Sequence, residues 1–504
     1  MNCRTVKVAQ FYGIDINDFA IKVLKICFLL AELQLSGEIL DISALDKNII
    51  TANALRMDWN ELLPSKKCSY IISNPPFLGA MRMTIEQKKE IREIFKKVNG
   101  AGEFDYVTAW YKKSCDYIGN LNIKTAFVST NSLCQGEHVT NFWKYLLKTY
   151  PVEIDFAYKT FIWNSESKNC PHVYCVIVSF SRKGPNKKKI LYENNKNFKE
   201  CNNINPYLVD APTEFISARS SPICDVPKMK FGNMPRDGGN LILTPEEKDL
   251  FTKKEPITKK YVRPYIGAKE FINGIKRYCL WLKDAALNEI AKSKLILKRL
   301  IAVKKFRENS KAAGTRKYAS VPALFCQITQ PQRDYTIVPR TSASKRKYLP
   351  IGFVNKQFIL SDAAQYIPIV SLYCFGILTS STHMNWMRTV CGRLKSDYRY
   401  SKDIVYNTFP WPTPTKKQKE DIEKTAKMIL DARKLYPKCT LAQLYDPLTM
   451  PPELRKAHKL NDEAVFKAYG FSKNITEEEC VAKLMEMYKK LVEKESLKKE
   501  TKQL

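Results

Sequence analysis

Through about the first 180 residues, short apolar runs alternate with longer stretches whose apolar positions recur every three or four residues. Residues 6–16 read as a strand ending in an acid, and residues 19–35 as an amphipathic helix. Residues 49–55 read as a second strand, leading to Asp58-Trp59. Residues 70–72 are a third, 125–129 a fourth and 173–180 the last. Charged helices are expected over 83–98 and 106–117. Strands alternating with helices predict an α/β fold with a mostly parallel, doubly wound sheet.

The pattern changes after a basic, turn-rich stretch, Ser181-Arg182-Lys183-Gly184-Pro185-Asn186-Lys187-Lys188-Lys189, which marks a candidate boundary. Three regions are therefore expected. The α/β domain covers 1–183. A mixed α+β region of short strands, prolines and dense Lys/Arg covers 190–412. A helical segment covers 415–504, with helical spacing over 416–435, 464–469 and 480–491 and a frayed Lys-Glu-rich end.

Composition narrows the partners. The chain has 504 residues, is 44% hydrophobic and 27% charged, and carries a formal net charge of +32. Such an excess predicts a polyanionic partner, with nucleic acid first and an anionic membrane surface second. The apolar stretch 21–35 is interrupted by Lys22, Lys25 and Glu32, and there is no transmembrane-length run, lipidation motif or ordinary signal peptide. The 15 cysteines are scattered without a CxxC pair, as expected of reduced, mostly buried thiols. Cys170-Pro171-His172-Val173-Tyr174-Cys175 could ligate a metal or pack as the start of a strand, and core packing is favoured, so no metal site is expected. The four histidines offer no triad by spacing.

Asn74-Pro75-Pro76-Phe77 carries the most chemistry. Each proline fixes its own φ and pushes the preceding residue to an extended conformation. A rigid turn at the carboxyl end of a strand is where open α/β sheets bind ligands. It can offer the Asn74 side-chain oxygen and a proline-flanked carbonyl to one amino group, while Phe77 stacks on a planar ring. A flipped base needs such a pocket. The bland reading is an ordinary loop. Two more features lie in order upstream. Asp15, with Ile16, ends the first strand, where an acid can bind ribose hydroxyls; its alternative role as a helix N-cap is already filled by Asp18. Asp58-Trp59 follows the second strand, where an acid can accept from an adenine amine while the indole packs on the ring; the alternative is a surface acid beside a half-buried Trp.

With these motifs the chain resembles the adenine-specific, S-adenosylmethionine-dependent DNA methyltransferases, and more narrowly the MmeI-like restriction–modification enzymes. Asn74 to Phe77 matches the family's (Asn/Asp/Ser)-Pro-Pro-(Tyr/Phe) motif. Arg263-Pro264-Tyr265-Ile266-Gly267-Ala268-Lys269-Glu270-Phe271 and Gly392-Arg393-Leu394-Lys395-Ser396-Asp397-Tyr398-Arg399-Tyr400-Ser401 are similar to its target-recognition region. Leu444-Tyr445-Asp446-Pro447-Leu448-Thr449-Met450-Pro451 is similar to its helical C-terminal segment. The resemblance implies a Rossmann-like doubly wound methyltransferase sheet and methyl transfer to adenine N6 in double-stranded DNA. Asn74 and the Pro75 carbonyl would hold the amine, next to Pro76. Phe77 and Trp163 would stack on the flipped base. Asp15 and Ile16, with Asp58 and Trp59, would bind the cofactor. It also implies a cytoplasmic, nucleoid-associated prokaryotic protein.

The family's Gly-rich Pro-x-x-Gly-x-Gly loop would precede the Asp15 strand, and Met1 lies only a few residues upstream. The expectation is a clipped frame, half of a split enzyme, or a remnant. One candidate partner is then a separate chain supplying the loop and a nuclease region. The alternative to an enzyme is a non-catalytic, sequence-specific DNA-binding fragment. For DNA contact three basic clusters stand out. Ten cations run from Lys292 to Lys317, including Lys304, Lys305 and Arg307, opposed only by Glu308. Arg340, Lys345, Arg346 and Lys347 form a second cluster, and Arg393, Lys395 and Arg399 a third. Basic side chains neutralise phosphates, and that term dominates affinity.

Overall fold

A computed structural model describes residues 6–37, 43–96, 98, 100–163, 173–185, 187–194, 196–394 and 396–500. The chain divides into two compact units, Met1–Cys134 with His138–Phe215, and Gln135–Glu137 with Ile216–Leu504.

In the first unit β1 (Gly13–Asp15) and β2 (Ile49–Thr51) form a parallel pair in register Asp15↔Thr51. Between them lie α1 (Asp18–Ser36) and α2 (Ser43–Asn48). The expected strands over 6–16 and 49–55 are thus only three residues each. A 3-10 turn, Val8–Gln10, occupies the start of the first, and a turn after Thr51 ends the second. Asn17, not Asp18, caps α1, its side chain accepting from the Phe19 and Ala20 amides at 3.0 and 3.3 Å. Asp18 instead sits in the first turn and pairs with Lys22 at 2.7 Å.

The larger sheet has six strands. They are β3 (Tyr70–Ser73), β4 (Lys124–Thr130), β5 (Val152–Trp163), β6 (Val173–Arg182), β7 (Lys189–Tyr192) and β8 (Phe198–Cys201), in the order β3-β4-β6-β5-β7-β8. β3–β4 and β5–β7 are parallel, but β4–β6, β5–β6 and β7–β8 are antiparallel. The sheet is therefore mixed rather than mostly parallel, because β6 doubles back on β5 and enters beside β4. The strands β7 and β8 also carry the sheet through the basic stretch at 181–189, so the compact unit ends at Phe215 and not near 183. Beneath β4 the buried ring of Tyr111 stacks on Phe180 at 5.4 Å and meets Phe127 and Trp143 edge-on. This packed aromatic floor fixes the strand ends that carry the site.

The second unit joins short strands to helices. One sheet contains Ile242–Leu243, Tyr278–Leu280, Val262–Ile266 and Ile359–Leu360; another contains Gly352–Val354, Tyr335–Pro339, Ala364–Ile367 and Lys230–Phe231. Gly392–Leu394, Asp397–Arg399 and Thr341–Ser342 make a third. Helices Lys416–Lys434, Pro452–Tyr469 and Glu477–Glu500 complete the unit. The last runs on to Glu500, past the expected fraying. Gly376 lets the helix Leu372–Leu378 approach Lys416–Lys434, since a Cβ there would lie 2.7 Å from Ile422.

Candidate functional site

The turn Asn74–Phe77 leaves the carboxyl end of β3, as its prolines require. Pro75 is buried and Phe77 half-buried, while Asn74 and Pro76 are exposed. The next residue anchors the turn: the Leu78 carbonyl accepts from the Tyr106 amide at 2.9 Å. Beside it the Asp105 carboxyl is buried, and burial raises its pKa. Asp105 accepts from the Val107 amide and the Thr130 hydroxyl, both at 3.3 Å.

Asp15 lies at the carboxyl end of β1, exposed, with Oδ1 accepting from the Asn17 amide at 2.8 Å. Ile16 is 73% exposed beside it. The Asp15 carbonyl accepts from the Ala52 amide at 2.9 Å, which lays the segment after β2 alongside. That segment ends at Asp58, the N-cap of a short helix, α3 (Trp59–Leu62). Asp58 Oδ1 accepts from the Asn60 amide at 2.9 Å, and this bonding holds the carboxyl below its ordinary range. The Trp59 indole N–H is committed to the Ala54 carbonyl at 2.8 Å, leaving the ring rather than the N–H for a ligand. One edge contact is to Tyr117, 5.6 Å between centroids.

One residue joins these two groups, and sequence reasoning did not name it. Glu90, on α4 (Ile85–Ile94), is 7% exposed. It accepts from Asn53 Nδ2 at 2.9 Å and Arg56 Nε at 2.6 Å, both in the segment after β2, and from the Tyr106 hydroxyl. A hydrogen-bonded path thus runs from Asp15 through Ala52–Arg56 to Glu90, Tyr106 and Leu78, ending at the Asn74 turn. The signal for Asp105 was an acid flanked by two aromatics, Phe104 and Tyr106. Glu90 left none, because its partners are distant in sequence.

Trp163 ends β5, 41% exposed, paired with Val173 and 6.3 Å from Phe161. Its contacts do not bring it to Asn74 or Asp15. Cys170 and His172 lie outside the described residues, among which no group of three metal-ligating side chains exists.

The basic clusters divide by burial. Lys304 and Lys305 are exposed on the helix Lys294–Glu308. Arg307 corrects the expectation of a DNA contact. It is fully buried and donates to five backbone carbonyls, those of Arg236, Tyr318, Val321, Pro235 and Leu324, at 2.7–3.0 Å. It faces inward because Ile296, Leu300, Val303 and position 307 form one helical stripe. Arg340 is half-buried, bonded to the Asp362 carbonyl at 2.9 Å and packed over Phe231. Arg346 is half-buried and Lys347 exposed. Arg393 stacks on Tyr398 at 4.3 Å, and Arg399 is exposed on the paired strand. Lys395 lies outside the described residues.

Residues 2–193 match the family model for the MmeI DNA-methyltransferase domain, 210–413 the MmeI target recognition domain, and 414–495 the MmeI C-terminal domain. The chain is 41% identical to the type IIL restriction–modification enzyme MmeI, solved in complex with DNA, with a TM-score of 0.87 over 97% of this chain and 67% of that one. It belongs to the MmeI family. DNA methyltransferase A of Bacillus subtilis (strain 168) is a second relative, 39% identical over 503 residues. That match covers 97% of the chain but 57% of the relative's length. Within the MmeI framework, the turn, Asp15 and Asp58 fall in the methyltransferase domain, and all three basic clusters fall in the target recognition domain. Among the described residues no helix is long and apolar enough to cross a membrane.

Proposed function

We propose that this chain is a site-specific DNA methyltransferase of a restriction–modification system, acting in the cytoplasm on adenine N6 of a base flipped from duplex DNA. The observation that carries this reading is the Asn74–Phe77 turn, tied through Glu90 to the segment that joins Asp15 and Asp58. Asn74 and the Pro75 carbonyl accept hydrogen bonds from the amine and turn its lone pair outward. Phe77 holds the base plane. No covalent enzyme intermediate is required, so positioning supplies most of the rate enhancement.

The residues fit S-adenosylmethionine. Asp15 and Asp58 each use Oδ1 in a local turn, which leaves the second carboxylate oxygen for ribose hydroxyls and an adenine amine. When bound, this cofactor would supply an electrophilic sulfonium methyl group, whose C–S bond breaks as the amine nitrogen bonds the methyl carbon, the neutral thioether leaving and the amine giving up one proton. The basic clusters of the second unit, chiefly Lys304, Lys305, Lys347 and Arg399, supply the phosphate contacts.

The test is calorimetric titration of S-adenosylmethionine into the purified chain, with and without duplex DNA. Saturable binding is expected, followed by methyl incorporation at adenine. A chain that binds duplex but not the cofactor is a recognition fragment, and the catalytic reading then falls.

A further inference from the structure

Apart from Arg340, the second basic cluster stands on a segment with little secondary structure of its own. Residues 343–351, which carry Lys345, Arg346 and Lys347, contain no strand or helix. They are held instead from the C-terminal helical region, at three points. Lys345 Nζ lies 2.5 Å from Asp446 Oδ2. The Tyr348 hydroxyl donates to Asp462 Oδ2 at 2.8 Å, and Asp462 Oδ1 accepts from the Ser381 amide at 2.7 Å. The Ile351 carbonyl accepts from Arg433 Nη1 at 2.7 Å.

The central point is the most demanding. Tyr348 is 2% exposed and Asp462 8%. The Tyr348 ring stacks on His458 at 4.0 Å and 16°, and His458 Nε2 bonds the Tyr445 hydroxyl at 2.8 Å. Tyr445 in turn takes Arg433 Nε at 3.0 Å. Apolar packing alone would be met by phenylalanine at 348 and leave the segment free to shift. A buried hydroxyl facing a buried carboxylate tolerates one position, because any shift strips the hydroxyl of its acceptor and Asp462 Oδ2 of its donor. The next side chain along, Lys347, lies over the same ring, 5.5 Å from its centroid, and projects to solvent.

We infer that Tyr348 and Asp462 are a positioning pair, through which the C-terminal helices set how Arg346 and Lys347 meet DNA phosphates. Neither residue touches DNA in this account. The inference rests on the DNA-binding reading above.

The experiment measures duplex affinity of the full chain across salt for four proteins: wild type, Tyr348→Phe, Arg346→Ala with Lys347→Ala, and the triple variant. Tyr348→Phe keeps the stacked ring and removes only the hydroxyl. It should weaken binding about tenfold and flatten the salt dependence by about one phosphate contact. The lysine–arginine variant should weaken binding at least as much and flatten the slope by up to two contacts, and the triple variant should add little to that, since both changes disable one segment. A Tyr348→Phe protein with lowered Tm but wild-type affinity and salt slope overturns the inference, as do fully additive effects. Asp462→Asn supplies a second readout by hydrogen exchange. Amides of 343–349 should exchange faster while the helix Pro452–Tyr469 stays protected, and unchanged exchange also overturns it. Wild-type protein that fails to bind duplex sinks the DNA reading itself, which separates the two failures.

Discussion

Asn74 to Phe77 and Lys304 to Arg307 are both four-residue runs that stand out by residue type, yet the fold treats them in opposite ways. In the first, two prolines fix the backbone, so neighbouring side chains keep fixed directions at the end of β3. In the second, the helix turns about 100° per residue and distributes neighbours around its axis. Lys304 and Lys305 reach solvent, Phe306 is 45% exposed, and Arg307 is fully buried. A motif on a rigid turn can be read along the chain. A run of like charges on a helix has to be read at the helical period before any residue is given a partner.

Substitutions separate the two cases. The largest effect is expected at the turn. On the proposed role, in which Asn74 orients the reacting amine, Asn74→Ala should cut methyl transfer by about a hundred- to a thousandfold. Duplex affinity should stay near wild type. A parallel loss of DNA binding would mean that the turn is structural, and the contrast with the helix would disappear.

Arg307→Ala comes next and should act on stability. It strips five carbonyls of their donor in a closed interior, which places it among severe substitutions, on the order of 4 kcal/mol. Urea unfolding reads this directly. Lys304→Ala with Lys305→Ala, one turn away or less, should leave the unfolding midpoint nearly unchanged. That pair should instead weaken duplex binding and lower the salt slope by up to two contacts. An unaltered slope removes both lysines from the interface.

The same distinction explains what was legible. The αβ alternation, the proline turn after β3 and Asp15 at the end of β1 depend on local residue order, and they stand where the pattern put them, whereas β2 stops at Thr51 and Asp58 caps α3 instead of ending a strand. Arg307 was legible too, since positions 296, 300, 303 and 307 follow a buried stripe that charge alone obscured. β5 was harder. Glu153, Asp155 and Lys159 interrupt its apolar positions, and two register shifts break its period against β6. β7 and β8 were hidden by the lysines that precede them. Glu90 could not be found from the chain, because Asn53, Arg56 and Tyr106 reach it only after folding. Asn17 displaced Asp18 as the cap of α1 by a single position, within the usual uncertainty of a helix end.

Asp462 extends the comparison to an acid on a buried helical face. It shares that face with Ala457, His458, Asn461 and Val465, so a position that reads as charged and exposed is instead enclosed. Burial pushes its carboxyl pKa up to about 6, against an unfolded value near 3.8, despite the bonds from Ser381 and Tyr348. Between those two values the folded chain holds more protons at this site than the unfolded chain. Stability from this group therefore falls as pH rises from about 4 to about 6, and the penalty is full above that range. Carboxylates with lowered pKa, such as Asp18 and Asp58, slope the opposite way, so the whole-protein curve will not isolate the effect. The difference between wild type and Asp462→Asn does isolate it. Relative to the variant, wild type should lose Tm across that window and then level off, a shift of a few degrees at most. A difference that stays flat would mean that Asp462 keeps an ordinary carboxylate pKa inside the fold, as an exposed acid does.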